Sequence, residues 1–161
     1  MAVAPSQVYV AAVPLRATAG PAQLAMTVAY SLGIWEFQHF MVLVRPPASM
    51  TSAEDVVVFD FQPRDPEDVF VALAALSGRP VAGVVRRRNL SKPPRRRCWL
   101  VGYCEEGDAL EIASSFSHGW NTDLKIGIHD CRDYTNGLVK SLTGENNILE
   151  SLKRSTTGRR N

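Results

Sequence analysis

Three cysteines and three histidines supply the nucleophile and base chemistry open to this 161-residue chain. Cys131 is the best placed of them. It stands in HDCRDYTNGLV, where Asp130 suits a helix N-cap and Cys131 falls in the first turn, with Tyr134, Leu138 and Leu142 behind it on one face. A sulfur there lies near unsatisfied backbone N–H groups and the positive end of the helix dipole, both of which favour thiolate over thiol. The anionic Asp130 opposes part of that effect. Cys98 and Cys104 belong to the strand-like run CWLVGYC. At about 3.3 Å per residue they lie about 20 Å apart, beyond the reach of a disulfide or a shared metal, and they read as packing residues.

A cysteine nucleophile needs a base that accepts its proton near neutral pH, and histidine is the usual one. His39 sits in FQHFMVLV, an apolar strand in which an unpartnered ring would be costly to bury. It is either the base or a core histidine satisfied by a backbone carbonyl. His129, two residues before Cys131, is a backup base, and His118 in FSHGWN reads as a surface or capping residue. Asp60 and Gln62 in DVVVFDFQ share one face of a strand, so either can orient the His39 ring as the third group of a triad, or mark the strand end.

These residues must be positioned by several elements. Residues 7–17 read as a strand and 20–33 as a helix from Pro21 to Gly33; 37–44 and 55–62 read as two strands, antiparallel across a loop of roughly ten residues. The stretch 65–78 is the clearest helix, with Asp65 as cap, Pro66 in the first turn, Gly78 at the end, and Val69, Leu73 and Leu76 as the core-facing stripe. Two more strands follow at 81–88 and 95–103 around NLSKPP, then a helix at 108–116, a short strand or extended loop at 124–129, and helices at 131–142 and 145–153. The expected organisation is one α+β domain over residues 1–154, an antiparallel sheet packed with helices, and a basic flexible tail over 155–161.

A histidine at the start of an apolar strand, a second strand with a polar residue, and much later a helix opening on cysteine with an aromatic three residues on resemble the circularly permuted papain-like cysteine hydrolases. That group includes lecithin:retinol acyltransferase relatives and deSUMOylating isopeptidases. The order decides the branch, because His39 precedes Cys131 here. The resemblance covers roughly residues 35–142, and it implies Cys131 as nucleophile, His39 as base and Asp60 or Gln62 as the orienting residue. Asp130 departs from the asparagine usual before the cysteine. The segments FDFQP, LSGRPV and HDCRDYTNGLV also resemble a plant protein family. The implied activity is acyl transfer from a thioester, ester or amide (isopeptide) bond, the oxyanion being held by helix-start N–H groups.

The segment RRRNLSKPPRRR carries Arg86, Arg87, Arg88, Lys92, Arg95, Arg96 and Arg97, leaving 11 bases against 16 acids elsewhere, so the net charge of +2 hides a dipolar chain. It reads as a basic hairpin, able to bind an acidic protein or nucleic acid, or simply solvated and protecting strand edges. The rival function is therefore a papain-like fold without turnover, binding through this segment. No zinc spacing, glycine-rich phosphate loop or aromatic RNA-binding signature is present, so no metal or cofactor is expected. No apolar run approaches the roughly 18 residues of a membrane-spanning helix, and the few cysteines point to a reducing compartment: cytoplasm, with nucleus or plastid as alternatives. The first 35 residues lack acids and suit a transit peptide superficially, yet they also read as folded structure.

Overall fold

The computed structural model describes residues 4–14, 38–48 and 55–158. The helix expected over 20–33 lies outside these residues. Six antiparallel strands form one sheet: β1 (Ser6–Pro14), β2 (Gln38–Arg45), β3 (Val56–Pro63), β4 (Val81–Leu90), β5 (Cys98–Cys104) and the short β6 (Asp123–Leu124). Their order across the sheet is β5-β1-β2-β3-β4-β6. Four helices complete the described fold: α1 (Val69–Leu76), α2 (Ala109–His118), α3 (Cys131–Thr143) and α4 (Ile148–Thr157). The chain is thus α+β, an antiparallel sheet with helices packed on it.

Strand alternation divides the apolar residues between two clusters. Val8, Val10, Phe40, Val42, Val44, Phe59 and Phe61 pack with Tyr134, Leu138 and Val139 of α3 and with Leu149 and Leu152 of α4. The intervening residues Ala11, Met41, Leu43, Val56 and Val58 form a second cluster. With both sets of side chains buried, the central strands read as continuous apolar runs.

One interruption of the sheet matters for the site. β1 and β2 pair down to Pro14 opposite Gln38, and β3 and β4 pair down to Pro63 opposite Gly83. Between them, β2 and β3 pair only from Val44 opposite Val57 to Val42 opposite Phe59. The two middle strands part at the end that carries His39 and Asp60.

Four expectations are corrected. The helix expected from Asp65 begins instead at Val69, because Asp68 is the cap, accepting from the N–H groups of Phe70 at 2.8 Å and Val71 at 3.3 Å. Its stripe is also inverted. Val69, Leu73 and Leu76 are exposed, and Ala75 is the buried residue of the helix. The basic segment is not a hairpin either: β4 and β5 lie apart in the sheet, separated by β3, β2 and β1. β1 offers its free edge to β5, while Pro93 and Pro94 in the connector lack the N–H groups that pairing requires. Toward the C-terminus, α4 runs through Thr157, so Ser155 to Thr157 are helical and not tail.

Candidate active site

The nucleophile candidate is placed by its helix start. Asp130 is the N-cap of α3 and accepts from the Arg132 N–H at 2.9 Å, and it completes a capping box with Asp133, whose carboxylate accepts from the Asp130 N–H at 2.9 Å. The Asp130 carboxylate also accepts from the Gly127 N–H at 2.7 Å and from Arg132 Nη2 at 2.7 Å. Burial opposes its charge, but the Arg132 guanidinium and the N–H donors outweigh that and hold the carboxyl below the usual carboxylate range. The Asp130 charge alone would oppose a thiolate at Cys131. Arg132 offsets that, and the Asp-x-Arg spacing was the signal for it.

Cys131 is buried, 8% exposed, and belongs to the cluster beneath α3 with Tyr134 and Leu138. The end of β2 brings His39 to it. His39 Nε2 lies 2.8 Å from Asp60 Oδ2, with side chains 12% and 3% exposed. This bond spans the gap where β2 and β3 no longer pair. Burial pushes the His39 pKa down, but the hydrogen bonds to Asp60 and Cys131 and the charges on both prevail and raise it from 6.5 to about 10. With Nε2 engaged by Asp60, Nδ1 is the ring nitrogen left for the sulfur.

The other histidines are occupied elsewhere. His129 stacks on Trp120 with ring centroids 4.5 Å apart, and its Nε2 lies 2.8 Å from the Asn121 carbonyl oxygen. His118 is in the last turn of α2, where a histidine complements the helix dipole. Asp60 meets the ring, while Gln62 is half-buried on β3 opposite Val84.

Three further details shape the chemistry. The Asp130 carboxylate already takes the N–H groups of Arg132 and Asp133, so the Cys131 N–H is the helix-start donor left for an oxyanion. Gln38, beside His39, and Thr135, one turn along α3 from Cys131, are buried polar residues that the sequence reading passed over. A cleft of about 200 Å³ is lined by Phe40 and Arg132, the chain neighbours of His39 and Cys131, with Asn136 and Glu150 among others.

The basic residues are distributed along the fold. Arg86 donates to the Arg64 carbonyl at 3.3 Å, Arg87 donates to Ser114 Oγ at 3.3 Å and covers the Phe59 ring, and Arg88 reaches Met41 Sδ at 3.6 Å. Lys92, Arg95 and Arg96 are exposed in the connector, and Arg97 is half-buried just before β5. No described helix is long and apolar enough to cross a membrane. No protein-family model, curated protein or solved structure matches this chain.

Proposed function

We propose that the protein is a cysteine-dependent hydrolase or acyltransferase acting on a thioester, ester or amide (isopeptide) bond. The observation that carries this reading is the Asp60–His39–Cys131 series at the open end of the β2–β3 pair. The resemblance to permuted papain-like hydrolases supports it independently, through the order of histidine and cysteine along the chain.

At neutral pH the raised pKa of His39 leaves its ring protonated, and an imidazolium beside a sulfur favours the thiolate. The Cys131 thiolate attacks the substrate carbonyl carbon, and the carbonyl electron pair moves to oxygen, where the Cys131 N–H donates to it. Collapse of this intermediate expels the leaving group, which takes the proton from His39. The acyl group now rests on sulfur. Water or an amine, losing its proton to His39, attacks the thioester, and the thiolate leaves while the new acyl product departs. Asp60 holds the ring in place and stabilises its charge throughout, without itself taking the proton.

The test is alkylation of each cysteine by iodoacetamide at several pH values, read by peptide mass spectrometry. Cys131 labels selectively at about pH 7, and His39→Ala lowers that rate by about tenfold or more. Slow labelling of Cys131 that is indifferent to His39 would overturn the catalytic reading.

One observation favours a second reading, binding of an anionic partner through the basic segment. Arg45, Ser91, Lys92, Pro93 and Arg95 line a cleft of about 320 Å³ that contains no acid. Binding of an acidic protein or nucleic acid there would weaken steeply with salt and would be reduced by Lys92→Ala with Arg95→Ala. Retention of affinity at high salt in that double variant would exclude it.

A further inference from the structure

Helix α1 is built inside out. Val69, Phe70, Leu73 and Leu76 are 50%, 83%, 59% and 50% exposed, whereas Ala75 is 4% exposed. At about 100° per residue the four large side chains share one arc of about 120°, the width of a stripe that normally packs against something. The small alanine faces the protein and the large apolar side chains face outward. A single exposed leucine needs no explanation, but four on one eight-residue helix make a contiguous patch of the kind that marks an interface.

The charges around the patch narrow its occupant. Between the exposed Arg64 and Arg79 the chain carries Asp65, Glu67 and Asp68 and no base, so the entry turn keeps an excess of two carboxylates over its one guanidinium and Arg79 follows directly after the helix. The helix therefore has carboxylates in the turn that leads into it and a guanidinium in the turn that leaves it, all of them exposed. A lipid surface is a poor match, because an interfacial helix carries Lys or Arg along a polar face and α1 has neither. A second copy of the same helix, laid antiparallel across a two-fold axis, matches both features. Apolar stripe meets apolar stripe, and each acidic entry turn falls beside the Arg79 of the other copy.

We propose that the protein self-associates as a two-fold symmetric dimer through α1, with Val69, Phe70, Leu73 and Leu76 as the buried stripe and Glu67 opposite Arg79 of the partner subunit at both ends. Such an interface is isologous, the commonest arrangement for homodimers. With four apolar side chains from each copy it falls below the size of a stable interface, so the dimer is reversible, with a dissociation constant in the micromolar to millimolar range. It does not depend on the activity assigned to Cys131.

Sedimentation velocity on the full chain, over roughly 10 µM to 1 mM protein, tests the proposal. The weight-average mass rises towards that of a dimer with concentration. Leu73→Asp keeps the protein monomeric throughout, and because Leu73 is exposed the thermal midpoint of the variant is unchanged. Glu67→Arg and Arg79→Glu each weaken association by about three- to tenfold, the scale of exposed ion pairs made twice, and Glu67→Arg/Arg79→Glu together restore it. A wild type monomeric at every concentration would overturn the proposal, as would a dimer indifferent to Leu73→Asp or a double charge variant no better than the singles. Loss of a vesicle interaction in Leu73→Asp, measured with phosphatidylcholine–phosphatidylserine vesicles while the wild type stays monomeric, would replace the second copy with a lipid surface.

Discussion

At Cys131 a thiol is set beside an imidazole whose second nitrogen is held 2.8 Å from a carboxylate. The carboxylate is what distinguishes this arrangement from a core histidine satisfied by a backbone carbonyl, since it stabilises the charged ring as well as orienting it. A charge-assisted hydrogen bond of this kind contributes about 1.5–3 kcal/mol, so Asp60→Asn should slow iodoacetamide labelling of Cys131 at neutral pH by about tenfold or more. Gln62→Ala should leave that rate within about twofold, because the Asp60 carboxylate holds the ring and Gln62 lies opposite Val84. Equal losses in both variants would remove Asp60 from its assigned role. Composition made His39 conspicuous, as the polar residue in an apolar strand, and Cys131 was legible from the helix-start pattern after Asp130. The choice between Asp60 and Gln62 was not legible. Alternation places them on the same face, and only the early end of the β2–β3 ladder decides which of them His39 reaches.

Among the elements, α1 shows what periodicity can and cannot give. The spacing of Val69, Leu73 and Leu76 identified a helix with one apolar face, but it carried no information on which way that face points. That depends on what the small side of the helix meets, here through Ala75. The two arginine-flanked strands show the same limit: their existence could be read from residue type, whereas their separation across the sheet follows from β1 having an edge to fill. Helix α3 gives the contrasting case, since Asp130 is its cap, Cys131 opens its first turn, and Tyr134, Leu138 and Leu142 are buried on it as their spacing implies. Its position depends on a close approach to α2 that the sequence did not announce. A Cβ added at Gly137 would stand 2.8 Å from the Phe116 ring. Gly137→Ala should therefore destabilise the fold by about 1–3 kcal/mol, although alanine is the better helix former, and chemical denaturation would show the midpoint falling at unchanged slope. A neutral or stabilising result would mean that Phe116 moves aside freely and that α2 does not fix the depth of α3.

For the whole molecule, the buried titratable groups set a pH window that couples stability to the candidate site. His39 has a folded pKa near 10 against 6.5 unfolded, so the folded ring holds an extra proton between those values, one that cancels in the proton count wherever Cys131 gives one up to form the ion pair. The stability this contributes is complete below about pH 6.5 and is lost as pH rises through about 10, with a slope of up to about 1.4 kcal/mol per pH unit. Tyr134 acts in the same direction further up, because burial raises its hydroxyl pKa above 10 and the unfolded chain ionises first. Asp130 acts in the opposite direction at acid pH: its depressed pKa contributes stability above about 3.8 that disappears as pH falls. The imidazolium–thiolate pair of the proposed mechanism should therefore leave stability level from about pH 6.5 to 8.5, whereas a charged ring beside a thiol that keeps its proton gives a decline through that range. Urea denaturation at intervals from about pH 4 to 9 would measure this, and His39→Gln should leave the acid limb set by Asp130 intact. A wild-type curve that falls from about pH 6.5, or a level curve with slow labelling of Cys131 at neutral pH, would remove the thiolate from the resting state. The resting sulfur would then be a thiol, and the nucleophile would have to be generated with substrate already bound.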